Sequence, residues 1–60
     1  MTYRICIAKT GCVGIAIIET VSGDEAAWDL YMERVDEFTA EGFDVLLIDE
    51  NEYTVDIALA

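Results

Sequence analysis

The sequence has no histidine, no proline and only three cations, and each shortage removes a class of function. Without histidine, the commonest general base and the commonest nitrogen ligand for a metal are missing. Arg4, Lys9 and Arg34 are too few and too scattered to neutralise a run of phosphates, so direct binding of DNA or RNA is excluded. No apolar run approaches the roughly 20 residues that cross a bilayer, because Lys9 separates Ile5-Cys6-Ile7-Ala8 from the apolar stretch that begins at Cys12. No membrane partner is expected. Thr10-Gly11-Cys12 ends like a lipidation box, but Lys9 stands where such a box needs an aliphatic residue. Two cysteines are too few for the disulfide framework of a small secreted domain, and this points to a reducing, cytoplasmic compartment.

What is present is acid and apolar surface. Thirteen Asp and Glu give a net charge of -10 over 60 residues, while 55% of the residues are hydrophobic, including Trp28, three Tyr and two Phe. That apolar fraction offsets the chain entropy that would otherwise leave so charged a chain disordered. One domain spanning 1–60 is expected. A chain this short leaves little room for both a core and a buried catalytic cleft, so neither an enzyme nor a cofactor is expected.

The period of the apolar residues and the glycines divides the chain into five elements. Residues 2–8 alternate, with Tyr3, Ile5 and Ile7 on one face, and residues 12–20 alternate likewise, with Val13, Ile15 and Ile17 together. Pairing Ile7 with Val13 and Ile5 with Ile15 leaves the loop Lys9-Thr10-Gly11. Ser22-Gly23-Asp24-Glu25 signals a helix start, through either a Ser22 capping box or an Asp24 cap, and Gly42 signals a stop just beyond Glu41. At 3.6 residues per turn, Ala27, Trp28, Tyr31, Val35 and Phe38 form a core stripe with Met32 at its margin. Residues 43–49 and 53–59 alternate as two further strands. Matching Leu47 with Val55 and Val45 with Ile57 puts Tyr53, Val55, Ile57 and Leu59 on the core side. The intervening loop is Glu50-Asn51-Glu52, with Asn51 the residue suited to a left-handed conformation. The expected class is α+β, in the order ββαββ, with one helix packed across one face of a four-stranded sheet. If strands one and four form a parallel central pair, the helix supplies the crossover that this needs.

Two surfaces are candidates for function. On the outer helix face Asp29, Glu33 and Glu37 stand at i, i+4 and i+8, with Asp36 beside them. Such neighbours lie ~5–6 Å apart and repel one another, so solubility alone would be served as well by a less crowded arrangement. Consecutive phosphates on a strand are also several ångströms apart, so the row suits a groove lined with Lys and Arg. Asp49, Glu50 and Glu52 extend the negative field to the tip of the second hairpin. A calcium loop is excluded there, because Tyr53, Thr54 and Ala60 occupy positions where an EF-hand needs an acid or amide, a glycine and a glutamate. The second surface is the sheet face turned away from the helix. Cys6, Ala8, Cys12, Gly14, Ala16, Ile18, Leu46, Ile48 and Ala58 make it small and apolar, as an interface with a second copy or a partner would be. In the expected register Cys6 and Cys12 are diagonal neighbours at about 7–8 Å, beyond comfortable bridging distance, so both are expected as free thiols.

The ββαββ order resembles the β-grasp layout of the immunoglobulin-binding domain of protein G, and Met1-Thr2-Tyr3-Arg4 is similar to the start of that domain, which carries Lys in the fourth place. That family's antibody contacts do not transfer, because the outer helix here carries Asp29, Glu33 and Glu37 and the third strand has no Trp. In size, charge and layout the whole chain also resembles the small acidic proteins that phages use against host defence, anti-CRISPR proteins and DNA mimics among them. That resemblance implies a basic nucleic-acid-binding protein such as a Cas subunit as partner, in the cytoplasm of a host, with no catalysis.

Overall fold

The computed structural model describes residues 1–9 and 17–60. Strand β1 (Thr2–Lys9) is followed by β2 (Ile17–Ser22), helix α1 (Asp24–Thr39), β3 (Phe43–Ile48) and β4 (Thr54–Ala58). The class is α+β, with α1 lying on one face of a four-stranded sheet. Ile5, Cys6 and Ile7 are buried in succession, Ile5 and Ile7 in the core beneath α1 and Cys6 between Ile18 and Leu46 on the other face, which requires a neighbouring strand on both edges. β1 accordingly lies inside the sheet. The run Val45-Leu46-Leu47-Ile48 places β3 beside it for the same reason.

The strand order is β2-β1-β3-β4, with every neighbouring pair antiparallel. This corrects the expected β-grasp pairing: the central pair is β1 and β3, antiparallel, and β4 lies at an edge. Because β1 runs antiparallel to both β2 and β3, those two strands run parallel to each other, and α1 is the crossover between them with β1 inserted in the gap. β4, which carries Thr54 and Asp56, takes an edge, where polar groups reach water.

Both hairpin registers differ from the alternation estimate, in different ways. β1 pairs Ile7 with Ile17 and Ile5 with Glu19 in place of Val13 and Ile15. This is a slide by an even number of residues, so each side chain stays on the face its parity assigned. The expected Lys9-Thr10-Gly11 turn, Cys12, Val13, Gly14, Ile15 and Ala16 lie outside the described residues. In the second hairpin a bulge intervenes: Ile48 pairs with Thr54 but Leu47 with Asp56, and Val55 falls between. The extra residue reverses the parity of β4. Asp56 and Ala58 turn to the helix side and Ile57 to the open side, opposite to expectation, and Ala58 packs against the core. Tyr53, Val55, Ile57 and Leu59 are all exposed.

The core is Tyr3, Ile5, Ile7, Ala27, Tyr31, Val45 and Leu47, bordered by Val21, Leu30, Val35, Phe38 and Phe43, with Phe38 edge-on to Phe43 at 5.8 Å. α1 begins without the side-chain cap expected from Ser22 or Asp24. Ser22 ends β2, and Asp24 instead accepts a 2.8 Å hydrogen bond from the Tyr3 hydroxyl. Gly23 is the N-cap, at φ 96°; its amide donates to the Met1 carbonyl at 2.9 Å and its carbonyl accepts from the Ala27 amide at 2.9 Å. Asp24 and Glu25 in the first turn suit the positive end of the helix dipole. The helix ends at Thr39, two residues before the expected limit, and Gly42 adopts the left-handed φ of 88° that the stop requires.

Candidate functional site

Two i, i+4 rows run along the exposed side of α1. One is Glu25, Asp29, Glu33 and Glu37; the other is Trp28, Met32 and Asp36. All four acids expected to act, Asp29, Glu33, Asp36 and Glu37, are exposed. Trp28 and Met32 were expected in or beside the core, yet they are 39% and 52% exposed, with Trp28 edge-on to Tyr31 at 5.7 Å. They miss the core because α1 lies over β1 and β3, while β4 carries almost none of its packing. The outer surface is therefore acidic with an apolar border. The signal in the sequence was the 28-32-36 spacing, which ends on Asp36.

Arg34 divides the acidic row. Its guanidinium grips Glu19 of β2 at 2.7 and 3.2 Å, reaches Glu37 at 3.2 Å and lies 3.8 Å from Glu33. The Glu19 carboxyl is held below its ordinary pKa by that hydrogen bond, which outweighs the opposing effect of burial. Glu33 and Glu37 thus share Arg34, which pairs with neither Asp29 nor Asp36. Glu19, which pairs with Ile5 across β2 and β1 and so faces the helix side, is the residue that fixes Arg34. Ile7, Ile17, Glu19, Arg34, Glu37 and Phe38 line a depression of about 200 Å³, smaller than the roughly 300 Å³ at which small-molecule sites begin.

The hairpin acids divide similarly. Asp49 holds the turn, its carboxylate accepting from the Asn51 amide at 2.9 Å and the Tyr53 amide at 3.0 Å. Glu52, and not Asn51, adopts the positive φ, at 67°, and it pairs with Arg4 at 3.2 Å. Glu50 is exposed. Among the described residues no group of three carboxylates or cysteines could hold a metal ion.

On the open sheet face the register aligns a row across all four strands: Ile18, Cys6, Leu46 and Ile57. Arg4 with Thr20 and Ile48 lies to one side of it, and Ala8 with Asp44 to the other. Ile18 and Ile57 are 55% and 50% exposed. Cys6, short and flanked by Ile18 and Leu46, is buried as a free thiol, and burial pushes its pKa up, with Arg4 opposing. Cys12 lies outside the described residues.

Inside the core, the Tyr31 hydroxyl is buried without a hydrogen-bond partner. Burial first, then the nearby Asp56 carboxylate, pushes the phenol up to about 12; the two groups come close without reaching hydrogen-bond geometry, so the hydroxyl remains unsatisfied. No helix of the described residues is long and apolar enough to cross a membrane. The chain matches no protein-family model, no curated protein and no solved structure.

Proposed function

We propose that the chain is a non-enzymatic binding module that occupies the basic groove of a nucleic-acid-binding protein, with the outer face of α1 standing in for phosphates. One observation carries this reading: the exposed face of α1 presents Glu25, Asp29, Glu33, Asp36 and Glu37, with Arg34 the single cation of the helix. Arg4 is paired with Glu52 at the far hairpin, Lys9 ends β1, and Arg34 lies at the flank of the helix against Glu19. A predominantly anionic face steers association with a cationic groove, and Trp28 beside it is the kind of aromatic anchor that supplies affinity once the faces meet. The resemblance in size and charge to phage anti-defence proteins makes a Cas subunit in a host cytoplasm the target to test first.

The test is competition. A CRISPR effector is mixed with labelled DNA and increasing amounts of this protein, and DNA release is followed at several salt concentrations. Release that weakens steeply with salt supports the reading, because exposed charge pairs are screened. Asp29→Lys and Asp36→Lys are the informative reversals, since Glu33 and Glu37 also neighbour Arg34 and their replacement disturbs that cluster as well. Simultaneous binding of protein and DNA by the target, or indifference to both reversals, eliminates phosphate mimicry by the helix.

A further inference from the structure

We propose that the open sheet face is the interface of a two-fold homodimer whose axis runs along the row Ile18, Cys6, Leu46, Ile57, perpendicular to the strands. The inference stands apart from phosphate mimicry, which concerns the opposite side of the molecule. The thinnest dimension of the chain is 15 Å, and this is accounted for by one helix on one sheet at a spacing of ~10 Å. No third layer covers the open face among the described residues.

The occupant follows from the charge pattern on that face. The apolar row is bordered by a cation, Arg4, on one side and by an anion, Asp44, on the other. Rotation by 180° about the row lays the Arg4 side of one copy over the Asp44 side of its partner, and does so twice. A two-fold axis parallel to the strands would instead bring the Arg4 borders together, so the charges select between the two packings. Both residues already have contacts within the chain, Arg4 with Glu52 and Asp44 with the Ala60 amide, and the dimer adds a charged neighbour to each. Along the axis Ile18 and Ile57, half exposed in the single chain, become covered.

Area sets the strength. Four strands ~4.8 Å apart and about six residues long give a footprint of about 400 Å² per copy. A standard interface takes about 800 Å² from each partner, so association is expected to be reversible and in the micromolar range or weaker. In such a dimer the two helices point outward in opposite directions, and the particle presents two acidic faces.

The decisive experiment mixes two variants. In Arg4→Asp both borders become acidic, and in Asp44→Arg both become basic, so each variant alone is expected to associate at least tenfold more weakly than the wild type. An equimolar mixture of the two makes both cross-border pairs complementary, and sedimentation equilibrium from about 5 to about 500 µM should show a heterodimer at least as tight as the wild-type dimer. A mixture no tighter than its components overturns the proposal. Ile57→Lys, at an edge position half exposed in the single chain, should give monomers with unchanged circular dichroism. A dimer that survives Ile57→Lys, or a wild-type chain that stays monomeric at the top of the range, also overturns it.

Discussion

Leu46 and Leu47 are neighbours in one strand and have different surroundings. Leu47 is fully buried beneath α1, while Leu46 on the other side of the sheet is only half covered. The same backbone thus serves a packed face and a bare one, and the difference comes from α1 alone, because a sheet face without a second layer keeps its apolar side chains near water. The helix side combines core, ion-pair network and acid surface. The open side has an apolar row with one charge on each border, suited to association and contributing little to the stability of the isolated chain.

The largest test of this contrast is a pair of substitutions. Leu47→Ala should cost about 2–5 kcal/mol, enough to unfold much of a domain this small, whereas Leu46→Ala should cost well under half of that at concentrations where the chain is monomeric. Urea unfolding of both variants checks it, and equal losses would mean that the two faces are equally covered.

Tyr31 gives the next largest effect, with the opposite sign. Its hydroxyl is buried without a partner, so Tyr31→Phe should stabilise the fold by about 1 kcal/mol, the relief of an unsatisfied polar group. The folded-state pKa of Tyr31 is raised above its unfolded value near 10, so the folded chain holds its proton longer. The stability this contributes is complete below pH 10 and is lost as pH rises through about 12. Tyr3, raised chiefly by its hydrogen bond to Asp24, acts in the same direction. Alkaline melting curves of Tyr31→Phe should therefore fall less between pH 10 and 12 than those of the wild type, and superimposable curves would remove Tyr31 from the account.

A smaller effect lies at the acid end. The Glu19 pKa is depressed by Arg34, so its contribution is present above the unfolded value of about 4.5 and is lost as pH falls through the folded value. Glu19→Gln should lower the melting temperature at pH 7 and narrow the gap to the wild type below pH 4. A gap that is constant with pH would contradict the pairing. The smallest effect is at the acid surface itself. Asp29→Lys should gain a few tenths of a kcal/mol by relieving repulsion along the row, whereas Thr20→Lys on the open face should change monomer stability little. A gain for Thr20→Lys matching that for Asp29→Lys would mean that the acidic row is not the seat of the strain.

The strand order was more legible than the first pairing scheme allowed. Val45-Leu46-Leu47-Ile48 has apolar residues at both parities, as does Ile5-Cys6-Ile7, whereas the fourth strand interposes Thr54 and Asp56. Apolar residues on both faces suit inner strands and polar residues an edge, although β2, also at an edge, carries Ile17 and Ile18 on opposite faces. Trp28 was misplaced for a different reason. Helical spacing puts it in the core stripe with only Met32 at the margin, and whether the outer part of a stripe is covered depends on how far the sheet extends beneath it. Arg34 was recognisable as the only cation near the acids, but its principal partner, Glu19, comes from a different element, fifteen positions earlier in the chain.

By itself the sequence determined the number and order of the elements, the helix with its Gly42 stop, the face each residue of β1, β2 and β3 occupies, and the sign of the surface. These follow from local periodicity and composition, which need no knowledge of neighbours. The tertiary structure decided which strands are neighbours, how far β2 slides along β1, and where the bulge at Val55 turns β4 over. The reason is physical. Alternation repeats every two residues, so a slide by an even number leaves every face unchanged and costs the pattern nothing, while one bulged residue inverts all that follows it. Only the packing of α1 over β1 and β3, and the reach of Arg34 to Glu19, distinguish among arrangements that the alternation treats as equal.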